Sequence, residues 1–177
     1  LFPRAHAVAY VMMAFRIAWF KVYHPLAFYA AYFSIRAKAF DLRIMTGDLK
    51  TQLTEFNRIK ALDRAASPKD KDLMSALEVS MEMYQRGYRF INVDIQHSEA
   101  RRFSIKDGAL LPPFLAIDSL GETVAVAIVE ERNERPLTSL KDLRRRCKVS
   151  NTIIDLMKEL KCCGELPEDE QMSLFGA

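Results

Sequence analysis

Ile117-Asp118-Ser119-Leu120-Gly121-Glu122-Thr123-Val124-Ala125, continued by Ile128, Val129 and Arg132, is the stretch that decides the fold. Leu120 stands as an apolar residue between a small turn residue, Ser119, and a glycine, Gly121. Helical spacing follows, and Ala125 lets the new helix pack closely. The layout is a tight turn that opens into a helix. Backbone N–H groups at such a turn point outward at a helix start and bind an anion such as a phosphate. A first turn glycine would let phosphate come closest, and Ser119 in its place loosens that approach.

Further along, the same layout returns. A helix around Leu140 to Arg146 leads into the turn Cys147-Lys148-Val149-Ser150 and a second helix from Asn151 to Lys161, with Ser150 or Asn151 as its cap. Arg144, Arg145, Arg146 and Lys148 supply mobile positive charge beside the turn. Together the two copies have the layout of a tandem helix-hairpin-helix. The pair predicts sequence-independent contact with a nucleic-acid backbone through Ser119, Leu120, Gly121, Thr123, Arg144, Arg145, Arg146, Lys148, Ser150 and Asn151. Two surface hairpins with a solvated basic face would give a similar pattern, because basic clusters alone are usually solvated.

Before this region the hydrophobic period changes at Gly87. Ile91, Val93 and Ile95 alternate, followed by Phe103 and Ile105, then Asp107-Gly108 and Ala109-Leu110-Leu111, which predicts short strands and a hairpin. Everything earlier reads as helix. Pro3 to Val22 is apolar almost all round and is expected to be buried by its neighbours. Pro25 restarts a second apolar helix to Arg36, a short turn of helix ends at Gly47, and an amphipathic helix runs from Asp48 to Asp63. Ser67-Pro68-Lys69-Asp70 gives a cap, a proline at the first helical position and a first-turn acid, opening a helix that stops at Gly87. The fold class is therefore mainly α with a small β hairpin.

With 177 residues, half of them apolar, and 26 Lys+Arg against 23 Asp+Glu, the chain supports a buried core and is not wholesale disordered. A net charge of +3 is too weak to name a partner. Three cysteines, Cys147, Cys162 and Cys163, suit neither a disulfide framework nor a four-ligand zinc site, so no metal is expected and a reducing, cytoplasmic location is. Arg4, Arg16, Lys21, Pro25 and Arg36 interrupt the opening apolar run, so no membrane is expected as a partner. Leu1 enters this run directly, which suggests a piece of a longer chain.

Phe2-Pro3-Arg4-Ala5-His6-Ala7-Val8-Ala9-Tyr10, continued by Arg16-Ile17-Ala18-Trp19-Phe20-Lys21-Val22-Tyr23-His24-Pro25 and Tyr29-Ala30-Ala31-Tyr32-Phe33, closely resembles the fingers region of bacterial C-family replicative polymerases. The similarity is nearest to the C-terminal portion of the PolC-type DNA polymerase III alpha subunit. Ser67-Pro68-Lys69, Leu111-Pro112-Pro113-Phe114 and Gln171-Met172-Ser173-Leu174-Phe175 match further landmarks of that family in order. The resemblance implies a helical fingers portion over 1–86, a duplex-binding domain with short strands and tandem helix-hairpin-helix over 87–164, and a short flexible tail over 165–177. It implies that Phe2, Arg4, His6 and Tyr10 lie beside an incoming deoxynucleoside triphosphate. It further implies primer-template duplex as a partner, and contact of Gln171, Met172, Ser173, Leu174 and Phe175 with the sliding clamp, the beta subunit. The catalytic palm aspartates and their Mg2+ belong upstream of Leu1 in that family, so no catalytic residue and no cofactor is expected in this chain.

A free-standing helix-hairpin-helix repair or recombination module would share the duplex-binding half but gives no reason for the Phe-Pro-Arg-Ala-His segment. A helical partner-binding protein would use Met74, Met81 and Met83 as an adaptable surface.

Overall fold

The computed structural model describes residues 3–169. The opening half is helical: α1 (Arg4–Tyr23), α2 (Pro25–Ile35), α3 (Leu42–Met45), α4 (Leu49–Leu62) and α5 (Pro68–Gln85). Each of the last three starts on a side-chain cap. Asp41 accepts from the Ile44 amide and Asp48 from the Thr51 amide. Ser67 and Asp70 form a reciprocal capping box ahead of Pro68. Asp41, Asp48 and the Ser67–Asp70 pair thus close orphan amides at helix starts.

Strands β1 (Ser104–Lys106) and β2 (Ala109–Leu111) pair antiparallel, with Ser104 opposite Leu111 and Lys106 opposite Ala109. Asp107 and Gly108 both take positive φ, 51° and 72°, as a two-residue hairpin loop demands. The expected strand through Ile91, Val93 and Ile95 does not form. Phe90 makes one isolated parallel bridge to Leu110, after which the backbone turns away. Asn92 Nδ2 donates to the Leu160 carbonyl, and Ser98 Oγ accepts from the Asp94 amide. Val93 and Ile95 are both buried, so the alternating sequence reports burial without a ladder partner.

A single helical turn, Phe114–Ala116, precedes α6 (Glu122–Glu134), α7 (Leu140–Cys147) and α8 (Asn151–Glu159). Two apolar cores result. In the first, Tyr29, Phe33, Met45, Ile59, Leu77, Met83, Phe90 and Leu110 join α2 to α5 with the hairpin. Edge-to-face rings of Phe33, Phe40 and Phe90, 4.9–6.2 Å apart, stitch its hairpin side. In the second, Phe114, Ile117, Leu120, Ile128, Leu143, Val149, Ile154 and Met157 join α6 to α8. Phe40 packs against both.

A further expectation is corrected. Helix α1 carries no buried residue: Phe15 is 73% exposed and Trp19 49%. Among the described residues its C-terminal end is held by α2, by the Lys21–Glu82 ion pair at 2.8 Å and by Arg86 donating to the Lys21 carbonyl. Among the described residues it is also the one helix long and apolar enough to cross a bilayer by length and composition, with Arg16 inside it. The tail expected over 165–177 starts on the body of the fold. Residues 165–169 lie docked on α7, where the amides of Leu140 and Lys141 donate to the carbonyls of Pro167 and Glu168. Positions 170–177, with the Gln171–Phe175 segment, lie outside the described residues.

Candidate nucleic-acid interface

The two turns before α6 and α8 are built alike. Ser119 and Lys148 hold φ of 62° and 55°, the left-handed conformation that reverses the chain in one residue. Next comes a buried apolar plug, Leu120 in one and Val149 in the other, sunk into the second core. A cap follows, Gly121 or Ser150, and the helix begins. At one constant offset along the chain, Phe114 matches Leu143, Ala125 matches Ile154 and Ile128 matches Met157, all buried. Both turns therefore hang from one core by equivalent plugs, with Ser119, Gly121, Thr123, Lys148, Ser150 and Asn151 exposed around them.

First-turn amides of a helix have no intrahelical acceptor. Gly121 offers α6 no side-chain cap, so its amides face outward uncovered by their own turn. At α8, Ser150 Oγ accepts from the Ile153 amide at 3.3 Å. That leaves the Asn151 and Thr152 positions as the outward donors of its first turn. Each cluster of N–H groups carries the positive end of a helix dipole, complementary to a phosphodiester oxygen. Glu122 stands in the first turn of α6 and is engaged by Arg101 at 2.5 Å, which turns its charge aside.

The basic residues divide into two kinds. Arg144 and Lys148 are exposed, and Arg144 donates to Asn151 Oδ1 at 2.8 Å across the second turn. Arg145 is exposed but leans on Asp142 at 2.9 Å. Arg146 does not supply the mobile charge expected of it. Only 10% of its side chain is exposed. It donates to Glu131 Oε2 at 2.9 Å, to Asp142 Oδ2 at 3.1 Å and to the carbonyls of Glu131, Arg135 and Pro136. Sitting between α6 and α7, it bolts the first motif to the second. Its partner Asp142 is buried; burial opposes ionisation, yet hydrogen bonds from Arg146 and Arg145 hold the carboxyl below its ordinary range.

Arg132 went unmarked in the sequence beyond its place in the helix. It donates to the carbonyls of Ile95 and Ser98 at 2.9 and 3.0 Å and lies over the Phe114 ring, 5.8 Å from its centre. The irregular segment that replaces the expected strand is thereby tied to α6. The cysteines are structural: burial pushes the Cys147 thiol up to about 11 and the Cys162 thiol up to about 12, far from a reactive thiolate.

Near the start of the chain, Arg4, His6 and Tyr10 are exposed on α1. The His6 and Tyr10 rings meet edge to face with centroids 4.5 Å apart, as one helical step places them. Phe2, expected beside them, lies outside the described residues.

Comparison with known proteins adds two findings. A family model described as a helix-hairpin-helix motif matches residues 87–171. A protein named DNA polymerase III PolC-type from Caldanaerobacter subterraneus subsp. tengcongensis is 47% identical over 175 residues, covering 99% of this chain and 12% of its own length. Proteins of the same name from Streptococcus pyogenes and Streptococcus suis are 46% and 47% identical, with the same two coverages. The chain thus spans about 12% of the length of these relatives.

Proposed function

The chain belongs to the PolC-type DNA polymerase III family, of whose members it spans one segment, and from that premise we propose that its paired hairpins hold duplex DNA by the phosphate backbone within a replicative polymerase. One observation carries the proposal: two turns of the same left-handed build expose helix-start amides from a single core, with Arg144 and Lys148 beside the second. Such contacts position a duplex and carry no base information, which suits an enzyme that must work on any sequence. Binding should weaken steeply with salt and vary little with base composition. Arg144→Ala with Lys148→Ala should flatten the dependence of log affinity on log salt by about one to two units in slope. An unchanged slope removes both residues from the interface.

In the same reading, Arg4, His6 and Tyr10, with Phe2, contact the incoming deoxynucleoside triphosphate from the fingers. Arg4 and His6 meet phosphate charge there, and an aromatic ring packs near the base. The exposed apolar girth of α1 supports a place for this helix inside a larger assembly, because a helix apolar on every face is at rest only when covered. In the relatives, some eight times longer than this chain, the remainder of the polypeptide is the natural cover. Arg4→Ala or His6→Ala in the intact polymerase should slow nucleotide incorporation more than it weakens DNA binding; equal incorporation kinetics would exclude them. Gln171–Phe175 is proposed to tether the sliding clamp. A peptide over 167–177 should bind it with about micromolar affinity and lose binding with Leu174→Ala plus Phe175→Ala. Polymerisation itself is assigned to Mg2+-holding palm carboxylates elsewhere in the parent enzyme, and a cytoplasmic location follows from that role.

The methionine surface offers less. Met83 is buried and Met74 packs half-buried against the first core, so these two fill the interior rather than wait for a partner, and Met81 is itself half-buried.

A further inference from the structure

Beside the second hairpin lies a depression of about 460 Å³ lined by Lys141, Arg144, Asn151, Asp155 and Lys158, and by Glu168 and Asp169 from the docked segment. Within it Lys158 pairs with Glu168, and Lys141 with Asp169 at 2.8 Å. Three cations thus face three carboxylates, and two of those three belong to a segment that reaches the site from outside the hairpin. Take Glu168 and Asp169 away and the depression is left with a surplus of positive charge next to Asn151, at the start of α8.

We propose that residues 166–169 form an acidic strap over a further phosphate-binding patch, made by Lys141 and Lys158, which the duplex backbone occupies by displacing Glu168 and Asp169. This rests on the hairpin reading, since the patch only extends a surface already turned toward DNA. The strap is built for exchange rather than for permanent closure. Its base is firm: Leu166 packs on the second core, and the carbonyls of Pro167 and Glu168 accept from the amides of Leu140 and Lys141. Its acidic tips are exposed. The Glu168 and Asp169 side chains are 74% and 61% exposed, and that of Lys141 is 68% exposed. Ion pairs so placed hold weakly and are screened by salt, whereas a polyanion presenting successive phosphates competes well for the same two lysines. Bound duplex gains two backbone contacts. In its absence, the carboxylates lower the affinity of the patch for other anions.

The test is a cycle of four full chains titrated with a fluorescent duplex at low salt: wild type, Glu168→Gln with Asp169→Asn, Lys141→Ala with Lys158→Ala, and all four substitutions together. Amide replacements keep the size of the strap and its main-chain bonds. Neutralising the strap should tighten binding by about three- to tenfold. Removing the lysines should weaken it, and in the lysine-free background neutralisation should change affinity less than about twofold. A gain of equal size in both backgrounds would reveal only the general field of two lost charges and would overturn the proposal, as would no gain at all. Lys148→Ala, run alongside, reads the hairpin alone. If it weakens binding while the cycle is additive, the strap is refuted and the hairpin stands; if it leaves binding unchanged, the hairpin reading fails in its own right.

Discussion

Replacing Asp142 by Asn tests how the two hairpins are held in one frame. The carboxylate has no exposed side-chain surface and receives Arg146 at 3.1 Å, Arg145 at 2.9 Å and the Thr138 amide at 3.4 Å. Asn keeps the shape and removes the charge, leaving the Arg146 guanidinium, 10% exposed, with Glu131 as its remaining anion. Breaking a buried ion pair on one side costs about 3 to 5 kcal/mol. Glu131 still neutralises Arg146, and Arg145 is free to rehydrate, so about 2 to 3 kcal/mol is expected here. In urea unfolding followed by circular dichroism, that corresponds to a midpoint lowered by about 1 to 1.5 M at an unchanged slope near 2 kcal/mol/M. Glu131→Gln, whose side chain is one-third exposed, should cost less, about 1 kcal/mol. A midpoint shift below about 0.25 M for Asp142→Asn would refute the claim that this carboxylate and Arg146 bolt α6 to α7.

Other expectations concern acid and backbone strain. Burial opposes ionisation of Asp94, but hydrogen bonds from Lys106, the Gln96 amide and His97 outweigh it and bring its carboxyl down to about 2. Because the folded value lies below the unfolded one, the stabilisation is complete above about pH 4 and lost as pH falls toward 2. Discounted for a side chain about a third exposed, it is about 1 to 2 kcal/mol. Asp94→Asn should therefore be less stable than wild type at pH 7 by that amount and equal to it near pH 2, and a gap that persists at pH 2 would point to lost packing instead. Ser119→Gly removes a non-glycine residue from positive φ and should raise stability by about 0.5 to 1 kcal/mol in the same urea assay. A loss of stability there would mean that the Ser119 side chain contributes more than its strain costs.

The hairpin pair was legible because its signals are local. A turn residue, an apolar plug, a cap and a helical run sit within a few positions, and the repetition of that order at Cys147 to Asn151 needs no knowledge of tertiary structure. Asp107-Gly108 and the Ser67 capping box were legible for the same reason. What the sequence could not convey was partnership across space. Ile91, Val93 and Ile95 alternate as a strand does, yet the pairing edge goes only to Phe90, while Asn92 turns aside to Leu160. Arg146 looks in sequence like its neighbours Arg144 and Arg145, and only the folded chain brings Glu131 and three carbonyls around it. Helix α1 shows the opposite case. Its apolar girth asked for neighbours, and among the described residues only α2 and the end of α5 answer.

The central claim, that two equivalent turns grip a duplex by its backbone, is tested most directly by following the backbone amides of the isotopically labelled chain during a titration with short duplexes of unrelated sequence. The account predicts that Gly121, Glu122 and Thr123 shift together with Ser150, Asn151 and Thr152, by the same pattern for every duplex and with loss of the effect at high salt. Shifts confined to one turn, to surfaces away from both, or to a pattern that changes with base sequence would contradict it.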